Sequence, residues 1–116
     1  MVSPVKNQGQ CGASWVFSTI AFMESQSLIQ GKADIFPEEQ IVDCEKDSAG
    51  CSGGWPLDSF KYLETAGIEI NYDSSANDIC KYDKIKVVAN ISDVQCWENP
   101  TVAQLQGQVA NTGPLQ

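Results

Sequence analysis

At 116 residues with 42% hydrophobic side chains, the chain has length for one small domain with a modest core and not for two. Fifteen acidic against seven basic residues leave a formal charge of −8, which repels phosphate backbones and anionic lipid and argues against nucleic-acid or membrane partners. No apolar run reaches bilayer length, and MVSPVKNQ lacks the basic start and apolar middle of a secretory signal, so any targeting segment lies outside this sequence.

After the polar start KNQGQCG, residues 14 to 30 are rich in apolar side chains and free of Gly and Pro, and Gly31 stops them. Trp15, Val16, Phe17, Ile20, Phe22, Met23 and Leu28 cover most of the circumference, the pattern of a central, buried helix. FPEEQIVDC predicts a second helix of about two turns, with Pro37 in the first turn and Glu38 and Glu39 at the positive end of the dipole. AGCSGGWPLDSF is a glycine-rich loop feeding a third helix, with Leu57, Phe60 and Leu63 at helical spacing and Gly67 as its stop. Residues 68 to 83 read as loop. KVVANISDV leans to β structure through Val87, Val88 and Ile91, and a fourth helix is expected to be capped by Asn99, begun by Pro100 and carried by Val102, Leu105 and Val109.

The five cysteines, Cys11, Cys44, Cys51, Cys80 and Cys96, suit two bridges and one remaining thiol. Structural zinc needs closely paired ligands, usually including histidine, and here the spacings are wide and the chain contains no histidine. No metal and no cofactor is expected.

Gln8, CGASW at 11 to 15, DC at 43 and 44, and CSGGWP at 51 to 56, preceded by PVKNQG, resemble in order and kind the papain-like cysteine peptidases. The resemblance runs from Pro4 to Pro114. It implies an α+β family fold of which this chain is the mainly α, helical half with little β, one domain over residues 1–116. By the same resemblance the family's catalytic histidine and orienting asparagine lie in a β-rich second domain, absent here. A peptide or protein ligand in the cleft, a second chain or missing β-rich half as partner, and a lysosomal, vacuolar or extracellular setting also follow from it.

The family's nucleophile motif resembles C-G-S-C-W-[AS]-F-S, which places Ser14 at the cysteine position and Ala13 at a family serine. A group in the first turn of a buried helix feels the positive end of the dipole, which lowers a thiol pKa, whereas a serine hydroxyl needs an adjacent base. With no imidazole in the chain, no Ser–His pair forms within it. Gln8 matches the family's oxyanion-hole glutamine; taken alone it reads as a surface loop residue. Gly12, Trp15, Gly53, Gly54, Trp55 and Pro56 match substrate-side positions, Gly53 and Gly54 offering bare backbone to an extended peptide. Outside that match, a tight turn for the glycines and a core aromatic for Trp15 explain them as well.

The resemblance pairs Cys11 with Cys51 and Cys44 with Cys80, bridges that suit an oxidising compartment. It leaves Cys96 over, expected as a buried, inert thiol. NYDSSAND is shorter than the corresponding family loop. Ser14 fits an engineered replacement, a natural non-enzyme or a serine-bearing relative, so two functions stand: a peptidase half, inactive as this chain, or a non-catalytic domain that binds another protein. A helical half that packs on a β domain is expected to expose an apolar face drawn from Trp15, Trp55 and their neighbours.

Overall fold

The structure, a computed structural model, describes residues 2–74 and 79–115. Helix α1, Ser14–Ile29, is the axis of the core, and Trp15, Val16, Ile20 and Met23 are buried along it. It ends where Gly31 takes φ +80°, a conformation costly for any residue with a Cβ, and the Gly31 and Lys32 N–H groups close on the Leu28 and Ser27 carbonyls. Helix α2, Glu39–Cys44, begins one residue after the αR Glu38; Pro37 lies before it rather than in its first turn. Helix α3, Pro56–Ala66, has proline at its first position, where the missing N–H costs nothing, and stops at Gly67, φ +74°.

Helix α3 packs against α1 through the buried Leu63, an edge-to-face Phe22–Phe60 pair with centroids 5.4 Å apart, and a 2.5 Å hydrogen bond between the Thr19 and Ser59 hydroxyls. Phe36, Ile41 and Ile68 complete the core around them. Ile68–Glu69, read from sequence as loop, forms strand β1, antiparallel to β2, Val87–Ala89, with Ile68 opposite Ala89. A two-residue strand is too short to show alternation, so its pairing is a tertiary outcome. The helix stop also makes room for it: a Cβ on Gly67 would sit 2.6 Å from Val87 Cγ1 and 2.8 Å from the Ala89 carbonyl oxygen.

Helix α4, Val102–Thr112, is capped by Thr101 and not by Asn99: the Thr101 hydroxyl accepts from the Gln104 N–H while the Gln104 side chain accepts from the Thr101 N–H. Asn99 instead takes φ +48° in the preceding turn. Of the two tryptophans expected to contribute to an exposed apolar face, Trp55 is 75% exposed and Trp15 only 3%. Both expected disulfides are formed, Cys11–Cys51 and Cys44–Cys80, with Cα atoms 4.6 and 4.7 Å apart. Cys96 is exposed rather than buried. Part of the NYDSSAND expectation falls on residues 75–78, outside the described residues. Among the described residues no helix is long and apolar enough to cross a membrane.

A buried polar chain joins α2 to β1 and the loop beyond. Gln40 donates to the Gly67 carbonyl (3.0 Å) and accepts from the Glu69 N–H (2.8 Å), and the Glu69 carboxylate accepts from the Asp83 N–H (2.7 Å). Beside it the Tyr72 hydroxyl donates to Asp43 (3.0 Å) and accepts from the Lys81 N–H (2.9 Å). Burial is the main force pushing the Tyr72 hydroxyl up to about 12; the Lys81 N–H opposes it and the Asp43 carboxylate adds to it. A phenol whose pKa is raised from 10.0 by folding adds stability that is complete below pH 10 and is lost as pH climbs through about 12. Lys6, also raised, loses its contribution in the same direction. Urea midpoints between pH 8 and 12 are expected to fall less steeply in Tyr72→Phe than in the parent, and parallel decline in both proteins would refute the assignment.

Candidate active site

The segment in front of α1 is a set of tight turns. Gly9, at φ +63°, allows its N–H to reach the Asn7 side chain, and the Gln8 side-chain amide donates to the Cys11 carbonyl at 2.9 Å. An amide nitrogen carries two hydrogens, so one Gln8 donor stays available to a ligand. Gly12 donates its N–H to the Cys51 carbonyl at 2.9 Å, and a Cβ there would meet that oxygen at 2.7 Å. Hydrogen bond and disulfide together fix the segment leading into Ser14 to the glycine loop. Ala13, fully buried, is the N-cap and lacks a capping side chain, and Ser14 follows as the exposed first residue of α1. The start of a helix is the positive end of its dipole, so Ser14 stands where negative charge is favoured.

The facing loop is held from below. Glu45 accepts from the Asp47 and Ser48 N–H groups at 2.7 and 2.8 Å, Ser48 donates to Asp58, and Gly50–Ser52 form a 3₁₀ turn. Trp15 completes this support by donating its indole N–H to the Gly50 carbonyl at 3.2 Å. Its ring lies under Gly54, where a Cβ would fall 2.6 Å from the indole and 2.7 Å from Ser48 Cβ. Its type allows two readings, a substrate-side position or a core aromatic; Trp15 is 3% exposed and packs beneath the loop. The sequence signal for this was the glycine itself, which leaves space for a flat ring. Gly53 takes φ +119° with open space beyond it, Gly54 is half-buried, Trp55 is exposed and Pro56 turns the chain into α3.

Gly54→Ala is expected to destabilise the fold by about 1–3 kcal/mol through overpacking against Trp15. Gly53→Ala, at an open but left-handed position, tests conformation alone. A lower urea midpoint in Gly54→Ala, partly recovered by adding Trp15→Phe, is the expected result; no recovery in the double variant would disprove the ring contact as the cause.

A concavity of about 510 Å³ lies between α1, α3, α4 and the 91–97 segment, where Phe22, Phe60, Cys96 and Trp97 line it and Pro56 borders it. It includes none of Gln8, Ser14, Gly53 or Gly54. That is consistent with a peptide-binding edge, which is an open surface of backbone and not a cavity. No cluster of metal-ligating side chains occurs among the described residues.

A buried helix that begins at Ser14, its leading segment bridged to a glycine-rich loop by one disulfide, with a second disulfide joining α2 to the loop beyond β1, defines the helical half of a papain-like fold. The chain matches the papain family cysteine protease model over residues 1–116 and belongs to that family. It is 38% identical over 128 residues to cysteine proteinase 1 of Zea mays, covering 98% of this chain and 34% of that protein. It is 40% identical to cysteine proteinase 15A of Pisum sativum, covering 98% of this chain and 35% of the relative. The structure of digestive procathepsin L2 proteinase from Tenebrio molitor larval midgut superposes with a TM-score of 0.85 at 39% identity, over 97% of this chain and 38% of that one. The chain thus spans about a third of the length of the relatives it matches.

Proposed function

We propose that this chain forms the helical side of a peptidase cleft, with the Gly53–Gly54 backbone pairing with an extended peptide and Ser14 at the nucleophile position. The observation that carries this reading is the Cys11–Cys51 bridge, with the Gly12-to-Cys51 hydrogen bond beside it, which holds the segment leading into Ser14 against the loop carrying those glycines. Gln8 keeps a donor that, with the first-turn backbone N–H groups, suits a developing oxyanion. In this reading proteolysis requires an imidazole from beyond this sequence, and residues 1–116 alone are inactive because a serine hydroxyl at an unassisted helix terminus stays protonated. A β-rich half or a second chain bearing histidine is the partner that completes the cleft. The two bridges suit an oxidising compartment, and a lysosomal, vacuolar or extracellular setting follows.

A second reading, a non-catalytic domain that binds peptide or protein on the same edge, draws on Ser14 itself: the fold keeps the loop, the bridges and the glycines but not the thiol. The experiment that separates the readings compares the parent chain with Ser14→Cys, each with and without a histidine-bearing papain-like second half, using cleavage of a fluorogenic peptide. Turnover restored only by both changes supports the peptidase reading. Turnover by residues 1–116 unaided overturns it, and peptide binding without turnover in all four combinations supports the second reading.

A further inference from the structure

Asn-x-Ser/Thr triplets occur twice in the chain, at Asn90-Ile91-Ser92 and Asn99-Pro100-Thr101, and neither takes part in the site just described. Such a triplet accepts N-linked oligosaccharide in a secreted protein unless proline holds its centre. Pro100 therefore bars the second triplet, and its Thr101 hydroxyl is already committed to capping α4, accepting from the Gln104 N–H at 3.2 Å. The first triplet has no such bar. Ala89 and Ile91 are half-buried and pack against the core, whereas Asn90 between them and Ser92 beyond are exposed. This continues the alternation of β2, where Val87 and Ala89 are half-buried and Val88 is exposed. Successive side chains of such a run take opposite faces, so two apolar anchors hold the backbone to the protein and leave Asn90 on the outer face.

A glycan needs room as well as an acceptor. Ile91 borders the concavity between α1, α3, α4 and the 91–97 segment, while Asn90 and Ser92 stand outside it. Val88, 55% exposed, lies two residues before Asn90 on the same outer face, and Ile85 nearby is 93% exposed. These are apolar side chains left in water on a run that also carries the acceptor, and a bulky, hydrated oligosaccharide at Asn90 would cover the nearer of them. The setting agrees with the position. The Cys11–Cys51 and Cys44–Cys80 bridges form under the oxidising conditions of the compartment in which N-linked sugar is attached.

We infer that Asn90 is an N-glycosylation site whose oligosaccharide shields Val88. In the transfer, Asn90 Nδ2 attacks C1 of the first N-acetylglucosamine of a lipid-pyrophosphate-linked oligosaccharide. The N–C bond forms as the C–O bond to the pyrophosphate breaks, the amide gives up one proton, and the lipid pyrophosphate leaves with the bonding pair. The inference rests on the oxidising, secretory setting of the proposed function and not on its peptidase chemistry. The test secretes residues 1–116 from cultured eukaryotic cells behind an added signal sequence and compares intact mass before and after peptide N-glycosidase, which releases the sugar and leaves aspartate at position 90. Loss of an oligosaccharide mass from the parent, mapped to position 90 and absent from both Asn90→Gln and Ser92→Ala, is expected. Ser92→Ala keeps the asparagine and remains informative if Asn90→Gln does not fold. A parent free of sugar, or a glycan that survives in Asn90→Gln, overturns the site. Pro100→Ala, which lifts the bar on the second triplet, separates the causes of a sugar-free parent: a glycan at Asn99 shows that the setting holds and Asn90 alone fails, and none there shows that the setting fails as well. Asn90→Gln, which changes no charge, should also raise Nile red fluorescence above that of the glycosylated parent, and equal fluorescence overturns the shielding of Val88.

Discussion

Reducing both disulfides is expected to unfold residues 1–116 at 37 °C. The bridges join residues 40 and 36 apart in sequence, and each contributes ~4 kcal/mol in the chain-entropy description. Together they rival the ~5–15 kcal/mol that holds a domain folded, and so short a chain has little core in reserve. The two should not yield at the same rate. Cys51 and Cys80 are both exposed, but Cys11 is half-buried whereas Cys44 is buried beside Tyr72. A thiol therefore has access to both sulfurs of Cys11–Cys51 and to only one of Cys44–Cys80, and attacks Cys11–Cys51 first. Far-UV circular dichroism followed during reduction, with peptide mapping of trapped intermediates, is expected to show Cys44–Cys80 as the surviving bridge in a partly ordered species. Cys96, being exposed, should be alkylated before any reductant is added. A fully reduced chain that keeps its helical signal and cooperative melt would show that the core suffices without bridges.

Sequence carried the helices because their stops are chemical. Gly31 and Gly67 take left-handed conformations where a Cβ is disfavoured, and Pro56 opens α3, so the boundaries of α1 and α3 are written in residue type. The cap of α4 went to Thr101 over Asn99 because the capping box needs a glutamine three residues on, and Gln104 supplies it only for Thr101. Other features depend on partners far along the chain and have no local signature. Strand β1 exists through pairing with β2, across the whole 70–86 segment, and Lys6 finds its carboxylates 18 and 32 residues away. Of the candidate site, the two bridges were legible through motif order, while the core placement of Trp15, one of two readings its type allowed, is decided by its packing under Gly54. Cys96 was misjudged because a lone cysteine is more often buried, and here it faces the groove between α1, α3 and α4.

The largest effect expected is conditional activity at residue 14. Nucleophile and base act as one unit, and in such pairs losing one member costs nearly as much as losing both, about 10⁶ in rate. Ser14→Cys in residues 1–116 alone should therefore create a thiol that reacts with electrophiles, assisted by the terminus of α1, while peptide turnover stays at background. Adding a histidine-bearing papain-like half while keeping Ser14 should also give little, because an imidazole positioned to share a thiol's proton must now remove one from a far weaker acid. With both changes, cleavage of a fluorogenic peptide should rise at least ~10³-fold above the other three combinations. Gln8→Ala in that doubly changed protein should then lower kcat by ~10²–10³ with little change in KM, because an oxyanion donor acts on the transition state and not on the bound peptide. Were the loss to appear in KM alone, Gln8 would be a ligand contact and the oxyanion assignment would fall. Were Ser14 with the histidine half to match the Ser14→Cys variant, the site would be one built for a serine, and the thiol-type reading of the segment QGQCGASWVFS would have to be abandoned.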